Sequence, residues 1–234
     1  MRPVIGTSNK RDREKWLKEN LASIEGGSRI LDAGAGELQY KKYCAHLDYV
    51  SQDFAEYDGR GNGSGLQMKT WKQDDLDIIS DITSIPEPDL SFDAVMCIEV
   101  LEHLPDPTSA LIELTRILRI NGIFILTAPF TSITHFAPYH FCTGFNRYYF
   151  EYQLGKLGYK IEQIVPNGNY FEFVAQELHR VKSIANRYCN SKPTLYEAIA
   201  KRVIFRMLAR FAKRDRGSDE LLCFGYQIFA RKTK

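Results

Sequence analysis

The residues best placed to do chemistry stand at the ends of short apolar runs. Arg29-Ile-Leu-Asp-Ala-Gly-Ala-Gly-Glu37 reads as a buried strand entering a tight glycine turn. Gly34 and Gly36 would let backbone N–H groups approach a nucleotide-like ligand, and the turn is expected to open a helix whose N-terminus favours an anion. Asp32 belongs to the same strand end. Asp53 lies 17 residues after Gly36 and ends a second run, Tyr49–Ser51. A carboxylate there can accept hydrogen bonds from both hydroxyls of a ribose. Asp81 and Ile82 follow a third run, Leu76–Ile79. The acid suits an adenine amino group and the aliphatic chain suits the ring. Glu99 follows a fourth run, Phe92–Ile98, beside the expected far end of the ligand. Taken singly each signal is weak, because an Asp after a strand often only caps a helix. Four strand-end signals in order are a stronger pattern.

These residues need a frame. Residues 10–23 read as an amphipathic helix with Trp16, Leu17 and Leu21 on its apolar side. Phe92–Ile98 is nearly all apolar, as a strand covered on both faces should be. Pro107–Leu118 reads as a helix, Asn121-Gly122 as a turn and Ile123–Thr127 as a fifth strand. Phe145–Leu157 reads as a helix ended by Gly158, Tyr159–Val165 as a sixth strand and Leu222–Ala230 as a closing strand. Strands alternating with helices imply a doubly wound, mostly parallel sheet. Asp58-Gly-Arg-Gly-Asn-Gly-Ser-Gly65 is so rich in glycine that a mobile loop is expected.

Bulk properties narrow the class. A hydrophobic content of 44% suits a soluble globular chain, and no apolar run approaches the roughly 20 residues that span a bilayer. The opening residues lack the apolar core of a signal peptide. Five scattered cysteines, never spaced Cys-x-x-Cys, argue against a disulfide framework or structural zinc and suit a reducing cytoplasm. The net charge of +2 conceals an asymmetry: residues 178–234 carry 14 Lys/Arg against 4 Asp/Glu, and residues 1–177 carry 17 against 25. The basic C-terminal region therefore needs its own explanation.

Three segments together carry a family resemblance: Ile30–Gly36, Ser91-Phe-Asp-Ala-Val-Met-Cys-Ile-Glu-Val-Leu-Glu-His-Leu-Pro-Asp-Pro107, and Leu118-Arg-Ile-Asn-Gly-Ile-Phe-Ile-Leu-Thr-Ala-Pro129. Over about residues 12–165 the chain resembles class I S-adenosylmethionine-dependent methyltransferases, in the small-molecule branch that includes the ubiquinone-biosynthesis O-methyltransferases. The usual third glycine of the first motif is Leu38 here. An NAD-binding unit would want Gly-x-Gly-x-x-Gly, and position 39 is Gln. The resemblance implies S-adenosylmethionine as cofactor, lined by Asp32, Gly34, Gly36, Asp53, Asp81, Ile82 and Glu99. It implies a Rossmann-like seven-stranded sheet with an antiparallel last strand.

A sulfonium methyl is already electrophilic, so the protein must align an acceptor and remove a proton. The candidate bases are His103, His135 and His140, with Tyr139 and Phe141 as candidate pocket walls. Glu99, Glu102 and His103 form Glu-x-x-Glu-His, which in some relatives binds a divalent ion; this reading assigns no metal.

Leu195–Arg214 reads as an amphipathic helix inserted between strands six and seven, with Lys201, Arg202, Arg206, Arg210, Lys213 and Arg214 on its polar side. The plain reading is a cap over the substrate pocket or a subunit contact, such as a homodimer, with a solvated cationic face. The sharper reading is peripheral docking on an anionic membrane through residues 195–214. Nucleic acid ranks lower because the rest of the chain is acidic, and DNA is not expected.

The expected organisation is a single methyltransferase domain, with a core over about 12–177, a closing strand over about 222–231 and the basic insertion over about 178–218. The expected function is methyl transfer to a small-molecule acceptor, with oxygen preferred and a glycan or lipid-linked metabolite as the favoured class. The alternatives are a non-catalytic S-adenosylmethionine-binding regulatory or assembly protein, and an RNA methyltransferase.

Overall fold

The computed structural model describes residues 5–73 and 75–234. In chain order its elements are α1 (Asn9–Leu21), β1 (Arg29–Ala33), β2 (Asp48–Asp53), β3 (Ile78–Ile79), β4 (Phe92–Ile98), α2 (Pro107–Ile117), β5 (Leu118–Pro129), α3 (Arg147–Lys156), β6 (Tyr159–Asn167), α4 (Tyr170–Tyr188), α5 (Leu195–Ala212) and β7 (Gly225–Lys232). The strands form one seven-stranded sheet in the order β3-β2-β1-β4-β5-β7-β6. β1 pairs in parallel with β2 and β4, β4 with β5, and β7 runs antiparallel to β5. The strand order reverses between β1 and β4, so their carboxyl ends form the crevice where such sheets bind ligands.

The described residues form two compact units, 15–165 with 225–234, and 5–14 with 166–224. In the first, Ile30, Ala94, Met96 and Ile98 pack against Leu17 and Leu21 of α1 and against Tyr40 and Cys44. Residues one position along each strand, such as Leu31, Val95, Phe124 and Leu126, are buried as well. The period-2 alternation therefore buries both faces of the central strands. Asp106 caps α2, accepting from the Thr108 and Ser109 N–H groups ahead of a Pro at the first helical position. At the other end of α2, buried Lys232 donates from Nζ to the carbonyls of Thr115 and Leu118 at 2.7 and 2.8 Å. Replacing Lys232 by methionine keeps the stem and strands both carbonyls. Stability is expected to fall by about 1–3 kcal/mol, read as a lower urea midpoint at unchanged m-value.

In the second unit α4 and α5 pack around Ala175, Phe205, Leu208 and Ile5. The Gly6 backbone, at φ +75°, lies against the Ala175–Gln176 backbone where no side chain fits. The Ile5 carbonyl accepts from His179 Nε2.

Three local features differ from those expected. The expected Asn121-Gly122 turn is an irregularity inside a 12-residue β5: Phe92 faces Leu118 while Ala94 faces Ile123, and Asn121 takes up φ +65°. No α-helix follows the glycine turn. Leu38 at φ +57° interrupts the backbone, and only a 3₁₀ turn, Lys41–Tyr43, precedes β2. The anion site of a helix N-terminus is therefore not built there. The inserted region is also longer than expected, because residues 170–188 form a full helix capped by Asn169.

Candidate active site

The glycine turn is held by the end of β2. The N–H groups of Gly34 and Ala35 donate to the Gln52 carbonyl at 2.8 and 2.9 Å. A Cβ on Gly34, which sits at φ +74°, would lie 2.5 Å from Val100 Cγ2. Glycine is thus required where the β1 turn meets the chain leaving β4. Buried Asp53 accepts from Gly36 N–H at 2.9 Å through Oδ2. Its Oδ1 accepts from Ala55 N–H at 3.1 Å and from Gln73 Nε2 at 3.0 Å. Glu99 stands at the carboxyl end of β4 with φ +57°; its N–H donates to the Thr127 carbonyl and its Oε1 accepts from Thr127 Oγ1. Backbone strain of this kind in a non-glycine residue concentrates at functional sites.

Two predicted cofactor residues have other duties. Asp32 is buried and accepts a 2.7 Å hydrogen bond from Tyr49 Oη. Burial pushes its carboxyl up to about 7 against the opposing effect of that bond. It braces β1 against β2 from the α1 side of the sheet. Asp81 is exposed, and its Oδ1 accepts from Thr83 N–H and Oγ1, so it caps its own turn, while Ile82 is buried.

The segment from Phe54 to Gln73 closes over this end of the sheet. The expected mobile loop is instead a folded strap. Leu66 N–H donates to the Thr134 carbonyl and Phe136 N–H to the Leu66 carbonyl. Gly61 and Gly65 have positive φ and lie so close to the Ala137 and Thr134 carbonyls that a Cβ would collide with them. The glycines thus allow close approach between two backbones, which composition alone could not distinguish from freedom. Trp71 rests on the Gly36 backbone, and Tyr57, Trp71 and Phe136 make mutual ring contacts with centroids 4.6–5.5 Å apart.

The three predicted histidines meet. Ring centroids of His103 and His135 are 4.7 Å apart, those of His135 and His140 are 4.8 Å apart, and those of His103 and His140 are 6.1 Å apart. Two backbone links bring the loop to this point: the Glu102 carbonyl accepts from both Phe141 and Cys142 N–H groups. His103 Nδ1 lies 2.5 Å from the Tyr139 carbonyl and His135 Nδ1 2.9 Å from the Ile133 carbonyl. A carbonyl only accepts, so both Nδ1 atoms carry hydrogen, and the neutral His103 ring has its lone pair on Nε2. Burial, with the neighbouring His135 second, lowers His103 to about 4, so its imidazole is neutral at pH 7. His140 is lowered by the same two causes, and its Nε2 bonds to Ser132 Oγ.

Tyr139 reaches Glu56 through its hydroxyl and meets Phe54 edge-on, so it joins the strap. The expected wall residue Phe141 is 52% exposed. Phe136, which sequence reasoning missed, stacks on His103 at 5.1 Å. Trp71 and Gln73 were missed as well; a lone Trp in a polar stretch was the available signal.

Glu102, His103 and His135 each offer one ligand atom within 4.8 Å of one another. Glu99, one of the expected trio, is instead engaged with Thr127. One carboxylate oxygen with two imidazoles suits a first-row transition ion better than Mg²⁺.

Residues 31–126 match the methyltransferase domain family. The chain is 32% identical over 104 residues to a ubiquinone biosynthesis O-methyltransferase of Xanthomonas oryzae pv. oryzae, a match covering 43% of each protein. It is 32% identical over 117 residues to a sterol 24-C-methyltransferase of Gibberella zeae, covering 47% of this chain and 30% of that one. These matches span less than half the length of either relative. An S-adenosylmethionine-dependent methyltransferase from Archaeoglobus fulgidus shares the fold with a TM-score of 0.56 at 16% identity, over 95% of this chain and 94% of that one. The matched region holds β2, β3 and β4 and most of β1 and β5, together with the glycine turn, Asp53, Glu99 and His103. Residues 31–126 are therefore a methyltransferase domain, similar to those of S-adenosylmethionine-dependent enzymes that the three motifs resemble.

Proposed function

We propose that this protein transfers a methyl group from S-adenosylmethionine to a hydroxyl oxygen of a small molecule, with a glycan or lipid-linked metabolite as the favoured acceptor class. The observation that carries the reading is the cluster of His103, His135 and His140 beside the carboxyl ends of β4 and β5, with a neutral imidazole whose Nε2 is available. The residues fit the cofactor. The glycine turn admits no side chain at Gly34, and Asp53 presents two accepting oxygens for ribose hydroxyls. When bound, the cofactor supplies an electrophilic sulfonium methyl. Asp53 would hold the ribose in exchange for its bond to Gln73, and Ile82 would pack on the adenine ring. His103 Nε2 would take the hydroxyl proton as the new O–CH₃ bond forms and the C–S bond breaks. Glu102 Oε1, 3.8 Å from His103 Nε2, would stabilise the resulting imidazolium. Strap residues 54–73, folded against 134–137, would exclude water from the reacting atoms.

Calorimetric titration with S-adenosylhomocysteine, with NAD in parallel, tests the cofactor. Micromolar binding of the former and none of the latter is expected; the reverse would overturn the assignment. The Glu102–His103–His135 grouping supports a second reading in which these residues hold a divalent ion that polarises the acceptor oxygen. Exhaustive chelation separates the two: full activity afterwards removes the ion, whereas loss restored by Mn²⁺ or Fe²⁺ but not by Mg²⁺ supports it.

A further inference from the structure

The unit containing α4 and α5 has an apolar face that its own core does not use. Phe205 and Leu208 are buried against the α4 side, with Ala209 and Ala212 beside them. On the opposite side of α5, Ile199, Val203 and Met207 recur every four residues and are 48%, 59% and 40% exposed. At 3.6 residues per turn they form one outward stripe, and Tyr196, 84% exposed, begins it. A helix that is apolar on its inner face alone needs only its neighbour; this one is apolar on two faces.

A row of cations runs beside the stripe. Arg202, Arg206 and Arg210 each follow a stripe residue by three positions, and all three are exposed. Among the described residues no carboxylate pairs with them. Further along, Arg206, Arg210, Lys213 and Arg214 surround a hollow of about 380 Å³ with Ala209 at its side. Between Lys182 and Arg216 there are ten Lys/Arg and two Asp/Glu, while Arg180 just before is paired with Glu177. Both acids are committed locally: Glu197 closes the capping box with Thr194, and Asp215 accepts from Gly217 and Ser218 N–H groups. The cationic field is therefore not cancelled by its own carboxylates.

We propose that this face of α5 is a peripheral docking surface for an anionic lipid bilayer, with Tyr196, Ile199, Val203 and Met207 entering the interface and the arginine row binding headgroup phosphates. Charge and apolarity decide the occupant together. A nucleic acid would satisfy the arginines and leave the aliphatic stripe in water. A second copy of the chain would cover the stripe and bring an identical cationic row against the first. An anionic bilayer satisfies both, and arginine stems can lie along the acyl boundary while their heads stay hydrated. No helix among the described residues is long and apolar enough to cross a membrane, so the attachment is superficial.

The test is co-sedimentation of the full chain with phosphatidylcholine vesicles, pure or containing phosphatidylglycerol. Binding is expected only to the anionic vesicles, and weaker at high salt. The triple variant Arg202→Glu/Arg206→Glu/Arg210→Glu should reduce the partition coefficient at least about 100-fold, since each cation near such a surface contributes roughly fivefold. Ile199→Gln/Val203→Gln/Met207→Gln keeps every charge and should lose about tenfold or more. All six residues are exposed, so both variants should retain the far-ultraviolet dichroism and thermal midpoint of the parent. Absence of vesicle binding would overturn the proposal, as would binding that neither variant weakens. A duplex RNA or a self-dimer bound through this face in place of vesicles would also overturn it.

Discussion

Replacing His103 by alanine is expected to lower the methyl-transfer turnover number by about 10²–10⁴-fold while leaving S-adenosylhomocysteine affinity within about twofold. The measurement uses an acceptor found by screening small hydroxylated molecules with radiolabelled S-adenosylmethionine. The split between turnover and binding matters, because a merely structural His103 would move both. Its Nδ1–H is fixed on the Tyr139 carbonyl, so the lone pair is confined to Nε2. Burial holds the imidazole near 4, which guarantees the neutral form but makes it a weak base. Two effects therefore oppose each other, and the loss should fall toward the lower end of that range. The pH profile provides an independent check. Activity governed by this group should persist as pH falls through 6.5, the ordinary histidine value, and decline only near 4, where the folded imidazole gains its proton. An acid limb at 6.5, or His103→Ala turnover within twofold of the parent, would remove His103 as the base and leave His135.

Asp53→Ala is expected to weaken S-adenosylhomocysteine binding by about tenfold or more, the loss of a charge-assisted hydrogen-bond pair to the ribose. The structure adds a second consequence. The Asp53 carboxylate accepts from Gly36 N–H, Ala55 N–H and Gln73 Nε2 in a buried setting, so alanine also strands donors of the glycine turn. Stability should fall by about 1–3 kcal/mol, and the urea midpoint reads this apart from binding. Gln73→Ala separates the two roles. It leaves Asp53 on Gly36 and removes a side-chain donor that competes with ribose, so affinity should rise about two- to tenfold, the worth of one hydrogen bond. Unchanged affinity in Asp53→Ala, or tightening by Asp53→Ala rather than by Gln73→Ala, would move the ribose site elsewhere.

The run Phe92–Ile98 is a strand with the predicted bounds because continuous apolarity leaves it no stable place except between two covered faces. Pro107 opens α2 as predicted, because a first-turn Pro acts within one helical turn, and the Asp106 cap, which the sequence reading did not name, acts at the same end. The helix expected after Gly36 is absent, because Leu38 takes a left-handed conformation. The helix α4 went unread although Asn169 and the spacing of Phe171, Val174, Ala175 and Leu178 announce it.

Other features lay beyond any local reading. His103 and His135 are 32 residues apart in the chain, and Gly36 and Trp71 are 35 apart, yet each pair touches. Their meeting depends on the path of the strap and of the loop after β5, which backbone hydrogen bonds such as Leu66 N–H to Thr134 O fix. The same holds for the surface of α5: sequence periodicity marked an amphipathic helix, but only packing on α4 decided which apolar residues turned inward and which stayed in solvent. By itself, then, the sequence determined the strands, the glycine turn, the start of α2 at Pro107 and the chemical identity of the candidate groups, because those depend on periodicity and turn chemistry within a few residues. The tertiary structure alone decided the tautomer and depressed basicity of His103, the strap over Asp53 and the exposed face of α5, because desolvation and long-range contact exist only once distant segments have been brought together.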